Sequence, residues 1–246
     1  MGSRGTDVAR EAASLVLLDD DFTSIVHTIR LGRRIYDNLR KAIHYIVAVH
    51  VPIAGLAILP LLLGFPLILM PIQIALLEMV IDPACSIVFE TEGEEVDIMR
   101  RPPRRPDASI LPRQWAQWAL VQGLLALMLV AASLVLGAKS GLPEGDLRAL
   151  VFTTLVLANV GLIIVNRSFR SSLSDAILRP NAALWILVGT VGAVLAAAIY
   201  WVPLRTLFHF GPLHWDDLAV CAAAGLGLII VLEAGKKFLA RRGIAP

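Results

Sequence analysis

The chain has 246 residues, of which 57% are hydrophobic and 17% charged, with a formal net charge of +2 and a mean hydropathy of +0.73. That balance excludes a soluble domain, because its apolar runs far outnumber the amphipathic helices left to cover them, and it offers no basic surface for nucleic acid. What remains is an integral membrane protein, and its length must be shared among several helices that each cross about 30 Å of hydrocarbon.

Residues 1–41 are polar and mixed, with none of the compact apolar core of a cleaved signal peptide. Gly2, Gly5, Thr6 and Asp7 suggest a loop or helix start, followed by Val8–Leu18 and the acidic triplet Asp19–Asp21. From Phe22 to Lys41 the apolar residues Ile25, Ile29, Ile35 and Leu39 recur at helical spacing with arginines between them. This reads either as a cytoplasmic stalk running straight into the first span or as a basic amphipathic helix resting on anionic lipid.

Six spans are predicted, at Ala42–Gly64, Leu67–Phe89, Trp115–Gly137, Leu147–Val165, Ala182–Val202 and Leu218–Ala234. The expected fold is an all-α integral membrane bundle of six transmembrane helices with a short cytoplasmic N-terminal stalk. Trp115, Trp118, Tyr200, Trp201 and Trp215 fall at interfaces, as do His44 and Tyr45. Nineteen of the 22 lysines and arginines fall in one alternating set of segments and only Lys139, Arg148 and Arg205 in the other. The positive-inside rule then puts both termini in the cytoplasm. Cys85 and Cys221 lie within spans and read as small buried hydrophobes.

The second span carries the chemistry. Glu78 and Asp82 sit inside its apolar run, where a charge costs at least about 2.5–3.5 kcal/mol on insertion scales, so such a residue is a functional-site hypothesis by default. Four residues apart, they share one helix face. Pro83 has no N–H for the Met79 carbonyl, so two acids and a freed carbonyl make an oxygen-rich pocket suited to a cation. The alternative is an acid pair neutralised by protonation or basic neighbours, and neither of the first two spans holds a lysine or arginine. Gln73, one turn earlier, reads as a bond to a neighbouring helix. In the first span Pro52 frees the carbonyl of Ala48.

Three segments carry a family resemblance. Met1–Ala13 with Leu17–Phe22 resembles the end of the phosphorylation domain of P-type cation-transporting ATPases. Tyr36-Asp-Asn-Leu-Arg-Lys41 is similar to the segment leading into that family's fifth transmembrane helix. Asp97-Ile-Met-Arg-Arg-Pro-Pro-Arg104 resembles the loop after its sixth. The order and the intervening spans agree over the whole chain, with the last four spans matching in number and position more than in motif.

The resemblance implies the membrane cation-translocation portion of an ATP-driven pump, equivalent to helices five to ten of ten. It places Glu78 and Asp82 on the sixth-helix ligand positions and His50 on a fifth-helix one. His50 then reads either as a ligand or as a hydrogen-bonded residue between helices. Asn159 falls near an eighth-helix ligand position, and Asn166 reads as a helix cap. Ile53 stands where calcium pumps carry an acid or amide. Calcium is the first expected cation, ahead of sodium, potassium or proton coupling.

The family's D-K-T-G-T, T-G-E and G-D-G-x-N-D motifs do not occur. The chain is therefore expected to be a fragment or split gene product that binds no cofactor by itself, ATP and magnesium acting in the complete pump. Its expected partners are the transported cation, the lipid bilayer and an N-terminal pump part. The corresponding organisation is a phosphorylation-domain remnant at 1–21, a stalk at 22–41, the membrane domain at 42–235 and a basic tail at 236–246. An ATP-independent six-helix transporter or channel, or a noncatalytic remnant completed by a partner chain, remains the other reading.

Overall fold

A computed structural model describes residues 5–18, 21–83, 87–104, 109–168 and 181–241, excluding the side chains of Val80, Asp82, Ala240 and Arg241. Met1–Arg4, Asp19, Asp20, Cys85, Arg105, Arg170, Arg179 and Arg242, used in the sequence reading, lie outside the described residues. Among the described residues every regular element is a helix. A short α1, Asp7–Ala12, is capped by the Thr6 hydroxyl, which accepts from the Ala9 N–H at 3.3 Å.

The next helix, α2, runs unbroken from Thr23 to Leu63, so the basic segment and the first span are one rod about 60 Å long. The Asp21 carboxylate accepts the Thr23 N–H at 2.9 Å at its start. It passes through Pro52 and Pro60 and ends where Gly64 adopts a φ of 74°, a left-handed stop that glycine takes without a Cβ penalty.

The second predicted span begins later than expected. Its helix, α3, is described over Pro71–Pro83, Ile87 and Val88 are again helical, and Leu67–Met70 is not. Pro71 is suited to a first helical position, where its missing N–H would be unsatisfied anyway. The residues before it satisfy themselves locally, with the Met70 N–H donating to Gln73 Oε1 at 3.0 Å. Five helices among the described residues are long and apolar enough to cross a membrane, at Thr23–Leu63, Arg113–Lys139, Glu144–Asn166, Ala182–Tyr200 and Trp215–Leu239, and α3 accompanies them.

The remaining helices are α4 (Arg113–Lys139), α5 (Glu144–Asn166), α6 (Ala182–Tyr200), the short α7 (Val202–Leu207) and α8 (Trp215–Arg241). The middle of the bundle belongs to α5. Of its most apolar stretch 83% is buried, against about a third for α2 and α4. It packs against α2, α4, α6 and α8, and an all-round apolar helix is the kind a bundle buries.

Helices in lipid gain little from apolar burial against one another, so close approach matters. A Cβ on Gly123 of α4 would lie 2.6 Å from both the Ala48 carbonyl oxygen and the Val51 Cβ of α2. The carbonyl that Pro52 frees is thus pressed against the one residue type that fits there.

Each end of the bundle is tied by polar contacts. At one end, buried Arg148 of α5 donates to the carbonyls of His209 at 3.1 Å and Leu67 at 3.2 Å and pairs with Glu144. Gln73 Nε2 reaches the Phe208 carbonyl at 2.7 Å, so the cross-helix role expected for Gln73 is what it performs. At the other end, Lys41 pairs with Glu95 at 2.8 Å and Arg167 with Glu92 at 2.8 Å, both pairs buried. Lys236 donates to the Ser168 carbonyl at 3.1 Å.

Three side-chain expectations change. His44 and Tyr45 are not interfacial but fully buried, His44 edge-on to Trp115 at 6.2 Å and Tyr45 against Phe89 at 5.4 Å. The loop after α3 folds back over α2 and covers this depth, which a hydropathy boundary does not reveal. Asn166 is not a cap. It is the last residue of α5 and donates to Gln122 Oε1 of α4 at 2.9 Å.

Candidate cation site

The site begins with helix register. Gln73 of α3 and Arg148 of α5 both bond the Phe208–His209 backbone, which sets the two helices level at that end. Glu78 and Asp82 lie five and nine residues further along α3, and Asn159 lies eleven beyond Arg148. At 1.5 Å per residue, Asp82 and Asn159 stand about 14 and 17 Å along their helices from that anchor, a rise of about half a 30 Å core. Nearer that end, Leu77 of α3, Phe152 and Val156 of α5 and Val191 of α6 line one small apolar gap.

Glu78 is half-buried within α3, and no side chain among the described residues pairs with its carboxylate. The Asp82 backbone continues the helix, while its side chain lies outside the described residues. Asn159 is fully buried, and neither its amide nitrogen nor its oxygen has a hydrogen-bond partner. An unsatisfied buried polar group costs about 1–3 kcal/mol, so this unbonded amide needs a reason.

His50 is placed differently. It lies on an exposed face of α2, and its Nδ1 is 2.8 Å from the Ile46 carbonyl of its own helix. The structure does not gather it with Asn159. Among the described residues no three His, Cys, Asp or Glu side chains cluster as a metal centre. Cys221 is buried beside the Thr154 hydroxyl at 3.4 Å, in agreement with a packing role.

Sequence reasoning missed the polar strap that follows α3. Arg33 donates to the Ile98 and Arg101 carbonyls at 2.8 and 2.7 Å, Arg34 to Glu92 at 2.9 Å, and Asn38 to Glu92 at 2.9 Å. Arg101 grips Asp37 through two bonds of 3.2 and 2.6 Å. Burial alone lowers the Arg101 guanidinium pKa, but the bonds and charge of Asp37, with Asp97 and Glu95, hold it above its ordinary value. The alternation of acids and bases over 90–104 was the available signal; its partners lie more than fifty residues away.

A bundle of helices long and apolar enough to cross a membrane defines a multi-pass membrane domain. The chain belongs to the cation transporting ATPase C-terminus family, whose model matches residues 66–238. It is 33% identical over 212 residues to a calcium-transporting ATPase of Bacillus subtilis, covering 85% of this chain and 24% of that protein. It is 30% identical over 234 residues to calcium-transporting ATPase 1 of Lactococcus lactis, covering 94% of this chain and 26% of that protein. A shorter match, 41% over 106 residues, covers 43% of this chain and 10% of the human sodium/potassium-transporting ATPase subunit alpha-4. The chain thus spans about a quarter of the length of the calcium-transporting relatives.

Proposed function

We propose that this chain forms the cation pathway of an ATP-driven pump, with calcium as the transported ion and Glu78, Asp82 and Asn159 as ligands. The observation that carries the reading is Asn159, buried and unbonded, at about the depth of Asp82. Calcium takes six to eight oxygens. Two carboxylates, an amide and helix carbonyls supply part of that shell. His50 joins only if its side chain leaves the Ile46 carbonyl.

In this reading a catalytic portion binds ATP and magnesium and is phosphorylated. Residues 1–21 continue its phosphorylation domain, 22–41 carry its motion into the membrane domain at 42–235, and 236–246 form a basic tail. The calcium-transporting names of the longer relatives support this assignment.

The test joins the chain to the catalytic portion of such a relative and follows phosphoenzyme formation. Calcium should activate it, and Asn159→Ala should weaken that activation by about tenfold, equivalent to the roughly 1–3 kcal/mol of a lost polar contact. Activation by sodium or potassium in place of calcium would reassign the ion, and an unaltered calcium response in Asn159→Ala would remove this residue from the site.

The sidedness of the basic residues supports cytoplasmic termini in a cell membrane. Ser140→Cys, just past the end of α4, is then expected to react with an impermeant thiol reagent from outside intact cells. Ser109→Cys should react only after permeabilisation. The opposite pattern would invert the topology.

A further inference from the structure

A cleft of about 590 Å³ opens between the first half of α2 and the loop preceding α4. Arg33, Arg40, Arg101 and Arg104 all line it, and Asp37 is the acid among its lining residues. Asp37 is engaged with Arg101 through both carboxylate oxygens. Arg33 and Arg40 are held by contacts that orient a guanidinium without cancelling its charge. Arg33 rests on two backbone carbonyls. Arg40 lies 3.6 Å from the centre of the Trp115 ring and donates to the Ile110 carbonyl at 3.1 Å. Arg104 sits over the Tyr36 ring at 4.4 Å and bonds its hydroxyl. Arg33 and Arg40 thus give the cleft oriented positive charge beyond the Arg101–Asp37 pair.

Its depth suggests the source of the matching anion. Pro112, on its wall, directly precedes α4, and Arg40 and Trp115 stack where α2 and α4 pass into their apolar stretches. Tryptophan and arginine at such a level face lipid headgroups. Planar guanidinium groups suit phosphate oxygens geometrically, and Ile29, Ile98, Pro102 and Pro112 give the cleft an apolar wall. We propose that this cleft binds the headgroup phosphate of an anionic phospholipid.

The purified chain, in detergent with equal amounts of phosphatidylglycerol and phosphatidylcholine of the same acyl chains, tests this by native mass spectrometry. Phosphatidylglycerol should be retained about tenfold over phosphatidylcholine, the scale expected for one or two basic side chains near an anionic surface. Arg40→Gln with Arg104→Gln should bring the two lipids to parity. Arg205→Gln, at the other end of the bundle, should leave the preference intact. If the double variant does not elute as the folded chain does, Arg104→Gln alone, at the exposed rim, carries the test and should cut the preference about threefold.

Equal retention of both lipids by the unaltered chain overturns the proposal, as does an unchanged preference in the folded arginine variants. Inorganic phosphate is offered separately. If it binds and displaces phosphatidylglycerol at equal concentration, the cleft is a site for free anions and the lipid assignment fails.

Discussion

Glu78→Gln should raise the calcium concentration needed to activate phosphoenzyme formation by two to three decades once the chain works with a catalytic portion. The glutamine keeps the shape of the side chain and removes its charge. In water that loss would be small, but Glu78 lies half-buried in an apolar helix with no described partner to take over. Losing one charged ligand from a largely desolvated site compares with breaking a buried ion pair, about 3–5 kcal/mol, and each 1.4 kcal/mol is about tenfold in affinity.

Asp82→Asn is expected to be the more severe change. Pro83 follows it, so the helix there has fewer ways to bring another oxygen into place. Gln73→Ala is the internal comparison. Its side chain bonds the Phe208 carbonyl and the Met70 N–H, so its loss should loosen that end of the bundle and leave calcium affinity nearly unchanged. If Gln73→Ala abolishes calcium activation while Glu78→Gln and Asp82→Asn leave it intact, the ion is held elsewhere.

Much of this was legible in the chain because membranes make hydropathy a direct structural signal. The apolar runs at Trp115–Gly137 and Leu147–Val165 appear as the helices Arg113–Lys139 and Glu144–Asn166, each extended a little at both ends. The acids of α3 stood out because charge at that depth is costly. What hydropathy did not reveal was what covers what. His44 and Lys41 look like boundary residues in one dimension, yet both are fully buried, His44 against Trp115 of α4 and Lys41 paired with Glu95 of the loop after α3. The later start of α3 has the same origin, since hydropathy cannot distinguish an apolar helix from the apolar, nonhelical Leu67–Met70 that precedes it. Asn159 could be named from the sequence by resemblance, but its lack of hydrogen-bond partners needed the packing of α5.

That same packing makes the charged end of the bundle the place where a single substitution should cost most stability. Arg167 and Glu92 are 0% and 1% exposed and meet through two bonds of 2.8 and 3.3 Å. Asn181 Nδ2 donates to the same carboxylate at 3.0 Å. Arg167→Met would leave Glu92 with that amide in a buried setting, and removing one partner of a buried pair typically costs about 3–5 kcal/mol. The expected result is a marked fall in the thermal unfolding midpoint of the detergent-solubilised chain. Replacing both partners, Arg167→Met with Glu92→Leu, removes the stranded charge and should restore most of the loss, because desolvation offsets much of what a buried pair contributes.

The backbone of Glu92 stays anchored in either variant, since Arg34 and Asn38 hold its carbonyl. The stability difference between the single and double variants therefore reports the stranded carboxylate rather than a released loop. Equal destabilisation in both would mean that the shape of the pair matters more than its charge. An undisturbed single variant would mean that Glu92 finds another partner or a proton. The expected ordering instead makes this pair a device for fixing the loop after α3 against the end of α5, and so for tying the chain beyond Asp82 to the helix that carries Asn159.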